Sequence, residues 1–258
     1  METLCNITYP CDGEESGALK FLPNEEKIML KTLGPIADRV SLELDLGSRS
    51  HRLRDMHWQK THEGAIIYKP VAGCGETTLT GHARDFASLL EASDPFIQPD
   101  ELIVGARLVM PEDEDQIDLG EYDPHYPPGH AMLLTKGLIG IRNEARQKLQ
   151  TGIDPVSRDF LCAVDVSYGA ACRYVERFAR HAECMALVEP DSARKVELER
   201  ISTICDELAS GIPTSFHSAL QLLQFVRVFG GRGCIGRFDQ WMYPFYRRDI
   251  DQKRITQE

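Results

Sequence analysis

Cysteine, histidine and clustered carboxylates are the side chains in this chain that could do chemistry, and their spacing narrows what that chemistry is. The eight cysteines stand at positions 5, 11, 74, 162, 172, 184, 205 and 234. None forms a Cys-x-x-Cys pair, so neither a zinc ribbon nor a dithiol redox site is expected. Cys162, Cys172, Cys184 and Cys205 fall inside helical patterns, where a free cysteine behaves as a small buried hydrophobe. Reduced thiols in a cytoplasmic protein are the expectation. His51, His57 and His62 sit in a basic stretch, Ser48 to Glu63, but do not share a helical face, so they are not expected to form a metal set. Pro111 to Tyr126 holds seven Asp or Glu, without the Asp-x-Asp-x-Asp-Gly register of a calcium loop. It reads as a solvated loop. No Gly-x-Ser-x-Gly, His-Glu-x-x-His, phosphate loop or dinucleotide fingerprint occurs, so a complete enzyme of those classes has no support.

Bulk composition excludes partners more than it names them. The formal net charge of -11 argues against nucleic acid, whose phosphates need a basic surface, and against an anionic membrane face. No apolar run is long enough to span a bilayer. The first residues, Met1 to Asn6, lack the basic and apolar regions of a secretory signal. At 258 residues there is enough chain for a sizeable core.

The elements that must position any site are mostly helical. Residues 1–23 carry no periodicity and read as a loose arm. Asn24 then caps a short helix through Thr32, ended by Gly34-Pro35. Ser48 to Glu63 reads as a solvated helix, and Ala65 to Tyr68 as a short strand. His82 to Ala92 is helical, stopped by Asp94-Pro95. Glu101 to Met110 is an apolar run bounded by prolines and reads as a buried strand. Ala131 to Gln150 is the next helix. A long amphipathic one from Pro155 to Val188 places Phe160, Val164, Ala171, Val175, Phe178, Ala182 and Met185 on one side. Pro190 separates it from a helix over Ser192 to Leu208, with Val196, Ile201, Ile204 and Leu208 inward. After Gly211-Ile212-Pro213, Thr214-Ser215 caps a nearly apolar helix, Phe216 to Phe229, expected to be central. Last comes Gly236 to Ile250, where Phe238, Trp241, Tyr243, Phe245 and Tyr246 crowd five aromatic rings into nine positions. Pro244 is expected to break any helix through it.

These segments, in this order, resemble the glycyl radical enzymes of the pyruvate formate-lyase type, on the dehydratase and decarboxylase-like branch. The motifs that carry the resemblance are Asp100 to Arg107, Gly129-His130 with Leu134, Lys136-Gly137-Leu138 and Gly140-Ile141, Pro213 to Val226, and Gly236 to Ile250. They cover roughly residues 81–250. The resemblance implies the N-terminal helical part of a ten-stranded α/β barrel, incomplete here, so that residues 24–258 form a partial domain that is mostly α with a few strands. It implies a radical relay: a glycyl radical generates a cysteine thiyl, which takes hydrogen from a small substrate. The glycyl radical is installed by an activating enzyme that uses S-adenosylmethionine and an iron–sulfur cluster. His130 falls where some members place a substrate-contacting histidine. A helix N-terminal histidine without a ligand is the alternative.

Departures from the family matter as much. The reactive Cys-x-Glu loop and the Arg-Val-x-Gly-Tyr glycyl loop lie downstream of the aromatic segment in the family, beyond the end of this sequence. Gly73-Cys74-Gly75-Glu76 mimics the former, but upstream of the Glu101 strand, out of the family's order. Cys74 is therefore read as an ordinary loop residue, and no catalytic residue is assigned. The family's Gly-His-Ser-Ile-Ser-like strand is compressed to Gly230 to Ile235, with neither His nor Ser. The expectation is a portion of a radical lyase that does not turn over alone. The alternative is a non-catalytic binding or regulatory module, with an exposed apolar surface over 216–246 that would oligomerise or aggregate.

Overall fold

The computed structural model describes residues 73–105, 129–229 and 234–256. All of them lie in the larger of two compact units, His57–Gln257. The expectations for the arm at 1–23, the helices at 24–32 and 48–63, the strand at 65–68 and the acidic loop fall outside the described residues, as does the His51, His57 and His62 set.

Six helices make up the described unit: α1 Leu79–Ala92, α2 His130–Leu149, α3 Pro155–Val188, α4 Ser192–Ser210, α5 Phe216–Val228 and α6 Phe238–Asp251. Their starts follow capping chemistry. Thr78, Asp154, Asp191 and Ser215 each accept a hydrogen bond from a backbone N–H of the first turn they precede, which satisfies donors that no helical carbonyl reaches. The 34-residue α3 is the spine, with α1, α2 and α4 packed along it. Asp165 of α3 takes hydrogen bonds from Arg142 and Arg146 of α2. Burial works to raise that carboxyl, but the two guanidinium bonds and their charge outweigh it and leave it lowered.

The core is where α3, α4 and α5 meet. Tyr174 and Phe178 of α3 interlock with Phe225 of α5 and with Phe229 at its end, Phe178 and Phe225 standing edge to face at 5.3 Å. Leu198, Ile201, Cys205 and Leu208 bring the inner stripe of α4 to the same place. As its composition requires, α5 is central, with Leu222 and Phe225 fully buried. The exposed apolar surface expected over 216–246 is therefore not there across α5. It is the inside of the bundle.

Several other expectations are corrected. Val196 is exposed, because it stands two residues from Leu198 and so about 200° around the helix from the buried stripe. Phe160 is exposed as well, since no residue of α3 before Gly169 is buried. Cys184 is exposed, whereas Cys172 and Cys205 are buried as anticipated. Gly236 to Ile250 is largely a helix despite Pro244. The proline removes the N–H that would bond Gln240, but both residues face solvent, so water can take the freed carbonyl.

No strand occurs among the described residues. Residues 101–105, the described part of the expected strand, have no neighbouring strand among the described residues; side chains pair with their backbone. Gln221 Oε1 accepts from Val104 N at 2.8 Å, and Gln221 Nε2 donates to Val104 O at 2.7 Å. Gln224 Nε2 donates to Gly105 O and His217 Nε2 lies 2.8 Å from Leu102 O. From α4, the Arg194 guanidinium donates to the carbonyls of Gln98 and Glu101.

Candidate functional site

His130 is the first residue of α2, after Gly129, and only 7% of its surface is exposed. Its Nδ1 is sealed from water and has no hydrogen-bond partner. Burial of the ring lowers its pKa from the ordinary 6.5, and no charged group contributes to that shift, so the imidazole is neutral at pH 7. An unpaired buried ring nitrogen is uncommon in a settled core, and a ligand that bonded it would relieve the deficit.

Two elements build this environment. The α2 helix changes direction at Gly137, whose φ of 65° suits glycine. A side chain there would meet the carbonyl of Gly211, at the corner between α4 and α5, at 2.1 Å. The Lys136-Gly137-Leu138 motif thus lets the first turns of α2 settle against that corner. The second element is α6. Trp241 lies against His130, ring centroids 5.0 Å apart and planes tilted by 40°. Phe238 meets Trp241 edge to face at 5.1 Å. Further along α6, the buried Asp249 accepts a hydrogen bond from Phe216 N at 2.7 Å, and Phe216 packs edge to face on Tyr246. That carboxylate ties α6 to the N-terminus of α5, and so fixes where Trp241 stands.

The cysteines do not join this site. Cys74 is exposed, its thiol 3.4 Å from the carbonyl of Gly81 and its N–H bonded to Asp85. The sequence reading passed over a second Cys-x-Glu, Cys205-Asp206-Glu207. It lies inside α4, where burial pushes the Cys205 thiol up to about 12. Glu207 accepts from Thr214 N and Oγ1. Both members are structural. No group of His, Cys, Asp and Glu among the described residues could hold a metal ion, and no described helix is long and apolar enough to cross a membrane.

A family model described as pyruvate formate lyase-like matches residues 121–258, more than half of the chain. The chain belongs to the pyruvate formate-lyase-like family. Among curated relatives, the probable dehydratase YbiW of Escherichia coli K12 is 35% identical over 140 residues, covering 50% of this chain and 17% of that protein. The isethionate sulfite-lyase of Oleidesulfovibrio alaskensis is 35% identical over 140 residues, covering 49% and 17%. Among solved structures, the glycerol-bound B12-independent glycerol dehydratase of Clostridium butyricum superposes with a TM-score of 0.60 at 25% identity, over 71% of this chain and 33% of that one. The chain thus spans about a sixth of the length of the curated relatives it matches. The match takes in α2 to α6, and with them both His130 and Trp241.

Proposed function

We propose that this chain supplies the N-terminal helical shell of a pyruvate formate-lyase-like radical dehydratase or lyase, and that His130 contacts the small-molecule substrate. The observation that carries the reading is the buried, neutral imidazole with its unpaired Nδ1, lying inside the region matched by the family. Glycerol and isethionate, named for two of the relatives, both carry a hydroxyl on a carbon adjacent to one that bears a second polar substituent. A hydroxyl can donate to or accept from a neutral imidazole, so a small hydroxylated compound suits His130.

In such an enzyme a glycyl radical, installed by an S-adenosylmethionine and iron–sulfur activating enzyme, supplies the hydrogen-abstracting chemistry. The described residues do not fit that role. Cys74 is exposed and Cys205 is a core thiol far from its thiolate range, and no Arg-Val-x-Gly-Tyr run occurs in the 258 residues. The radical steps therefore belong to other segments of the family fold, and this chain binds and encloses. A ten-stranded barrel is completed by those same segments. The free thiols at the described cysteine positions suit the reducing cytoplasm. Burial of α5 counts against the alternative of a binding module with an apolar docking face.

Anaerobic incubation of the chain with an activating enzyme and S-adenosylmethionine should give no glycyl doublet in the electron paramagnetic resonance spectrum. A doublet would overturn the assignment of the radical to other segments. Titration of the labelled chain with glycerol or isethionate should move the His130 ring signals, and His130→Ala should abolish the response.

A further inference from the structure

We infer that Trp241 is the positioning residue for His130: its indole packs against the imidazole, holds the ring orientation and leaves the buried Nδ1 unpaired for a ligand. The inference deepens the reading of His130 as a substrate contact and rests on it for the word ligand, but not for the contact itself. It begins with geometry. The indole centroid lies 5.0 Å from that of the imidazole with the planes 40° apart, and Nδ1 takes no hydrogen bond from it or from any other group. The indole can therefore shield and orient the imidazole without serving as a hydrogen-bond partner of Nδ1. Among the described residues, no other side chain makes a ring contact or hydrogen bond with His130. The orientation of Nδ1 depends on packing, and Trp241 supplies the aromatic ring packed against it.

Trp241 is itself held. Phe238, one turn earlier on α6, meets it edge to face at 70°. At the other end of the helix, Asp249 bonds the start of α5. The aromatic crowding of α6 thereby acquires a division of labour. Tyr246 packs onto Phe216 at the α5 junction, while Phe238 and Trp241 form the wall beside His130. Desolvation is the cause of the lowered His130 pKa, and an indole laid on the ring is a source of that desolvation.

The test uses the whole chain with labelled histidine, and follows the His130 ring resonances against pH in wild type, W241F and W241L. Loss of the indole in W241L should move the His130 midpoint upward toward 6.5, while W241F, which keeps an aromatic face, should stay near the wild-type midpoint. A general loss of stability would lower both melting temperatures without separating the two variants in this way. Unchanged His130 titration in W241L, with helix content intact by circular dichroism, would overturn the inference. If W241L does not fold, W241Y and W241F are compared with wild type by the accessibility of His130 to diethyl pyrocarbonate. Protection kept in both supports the aromatic-face role, and wild-type protection in a folded W241A variant overturns it. Glycerol titration of wild type is the separate arm: failure there removes the ligand reading of His130 while the titration result still decides Trp241.

Discussion

Gln221 pairs its side-chain amide with both backbone groups of Val104, at 2.8 Å from Val104 N and 2.7 Å to Val104 O. The pair reproduces what a neighbouring β-strand would offer, but from a helix. Both residues are buried, so neither backbone group has water to fall back on. Gln221→Leu should leave a donor and an acceptor unsatisfied and lower stability by on the order of 3 kcal/mol, read as a shift in the urea midpoint. Gln221→Glu keeps the acceptor but sets a carboxylate against the Val104 carbonyl, and should also destabilise the fold.

The two ends of α1 are both satisfied by α3. Asp159 accepts from Leu79 N, Thr80 N and Thr80 Oγ1 at one end. Arg177 donates to the carbonyls of Leu90, Glu91 and Ser93 at the other. The charges complement the helix dipole, and the arrangement requires α1 and α3 to run parallel. The Thr80 hydroxyl, then the backbone N–H groups, hold the Asp159 carboxyl below its ordinary 3.8. A carboxyl depressed in the folded state contributes stability above 3.8, which is lost as pH falls through the lower folded value. Asp159→Asn should therefore melt below wild type at neutral pH and converge with it in acid. A gap that persists unchanged at low pH would sink this.

Gly137 has a positive φ and no room for a β-carbon. Gly137→Ala should lower stability by at least about 2 kcal/mol, since strain and a backbone clash coincide there. Gly140→Ala is the control. Its new methyl would meet only the Lys136 Cβ at 3.3 Å, and the change should be near neutral by denaturant melt.

Arg248 buries Nε and Nη2 without partners, with its guanidinium over the Phe245 ring at 5.1 Å. Two sealed donors are a deficit that an apolar side chain of similar length does not have. Arg248→Met should raise the stability of this chain by about 1 kcal/mol. A lower urea midpoint would mean that the cation–π contact outweighs the lost donors.

The helix spans were legible because each rests on local chemistry. The ends of α3 and the start of α4 follow from Asp154-Pro155, Pro190 and Asp191, where capping oxygen and proline act on their own neighbours. The family motifs were legible for a related reason: Gly137, Gln221 and Asp249 occupy positions whose surroundings leave little freedom. What the sequence left unresolved was relational. A proline in a helix is disfavoured by its own geometry, and only solvent beside Gln240 makes Pro244 acceptable. The inward list for α4 missed Arg194, which is buried because the carbonyls of Gln98 and Glu101 meet it there.

Residue order alone determined that this chain carries helices of the pyruvate formate-lyase-like family, with His130 at the start of one of them, since caps, breakers and motif spacing act within a few positions. Only the tertiary structure decided that Val104 takes its hydrogen bonds from Gln221 and not from another strand, and that Trp241 closes on His130. Those pairings join residues distant in sequence, and their energies come from burial and unsatisfied groups that exist only once the chain has folded.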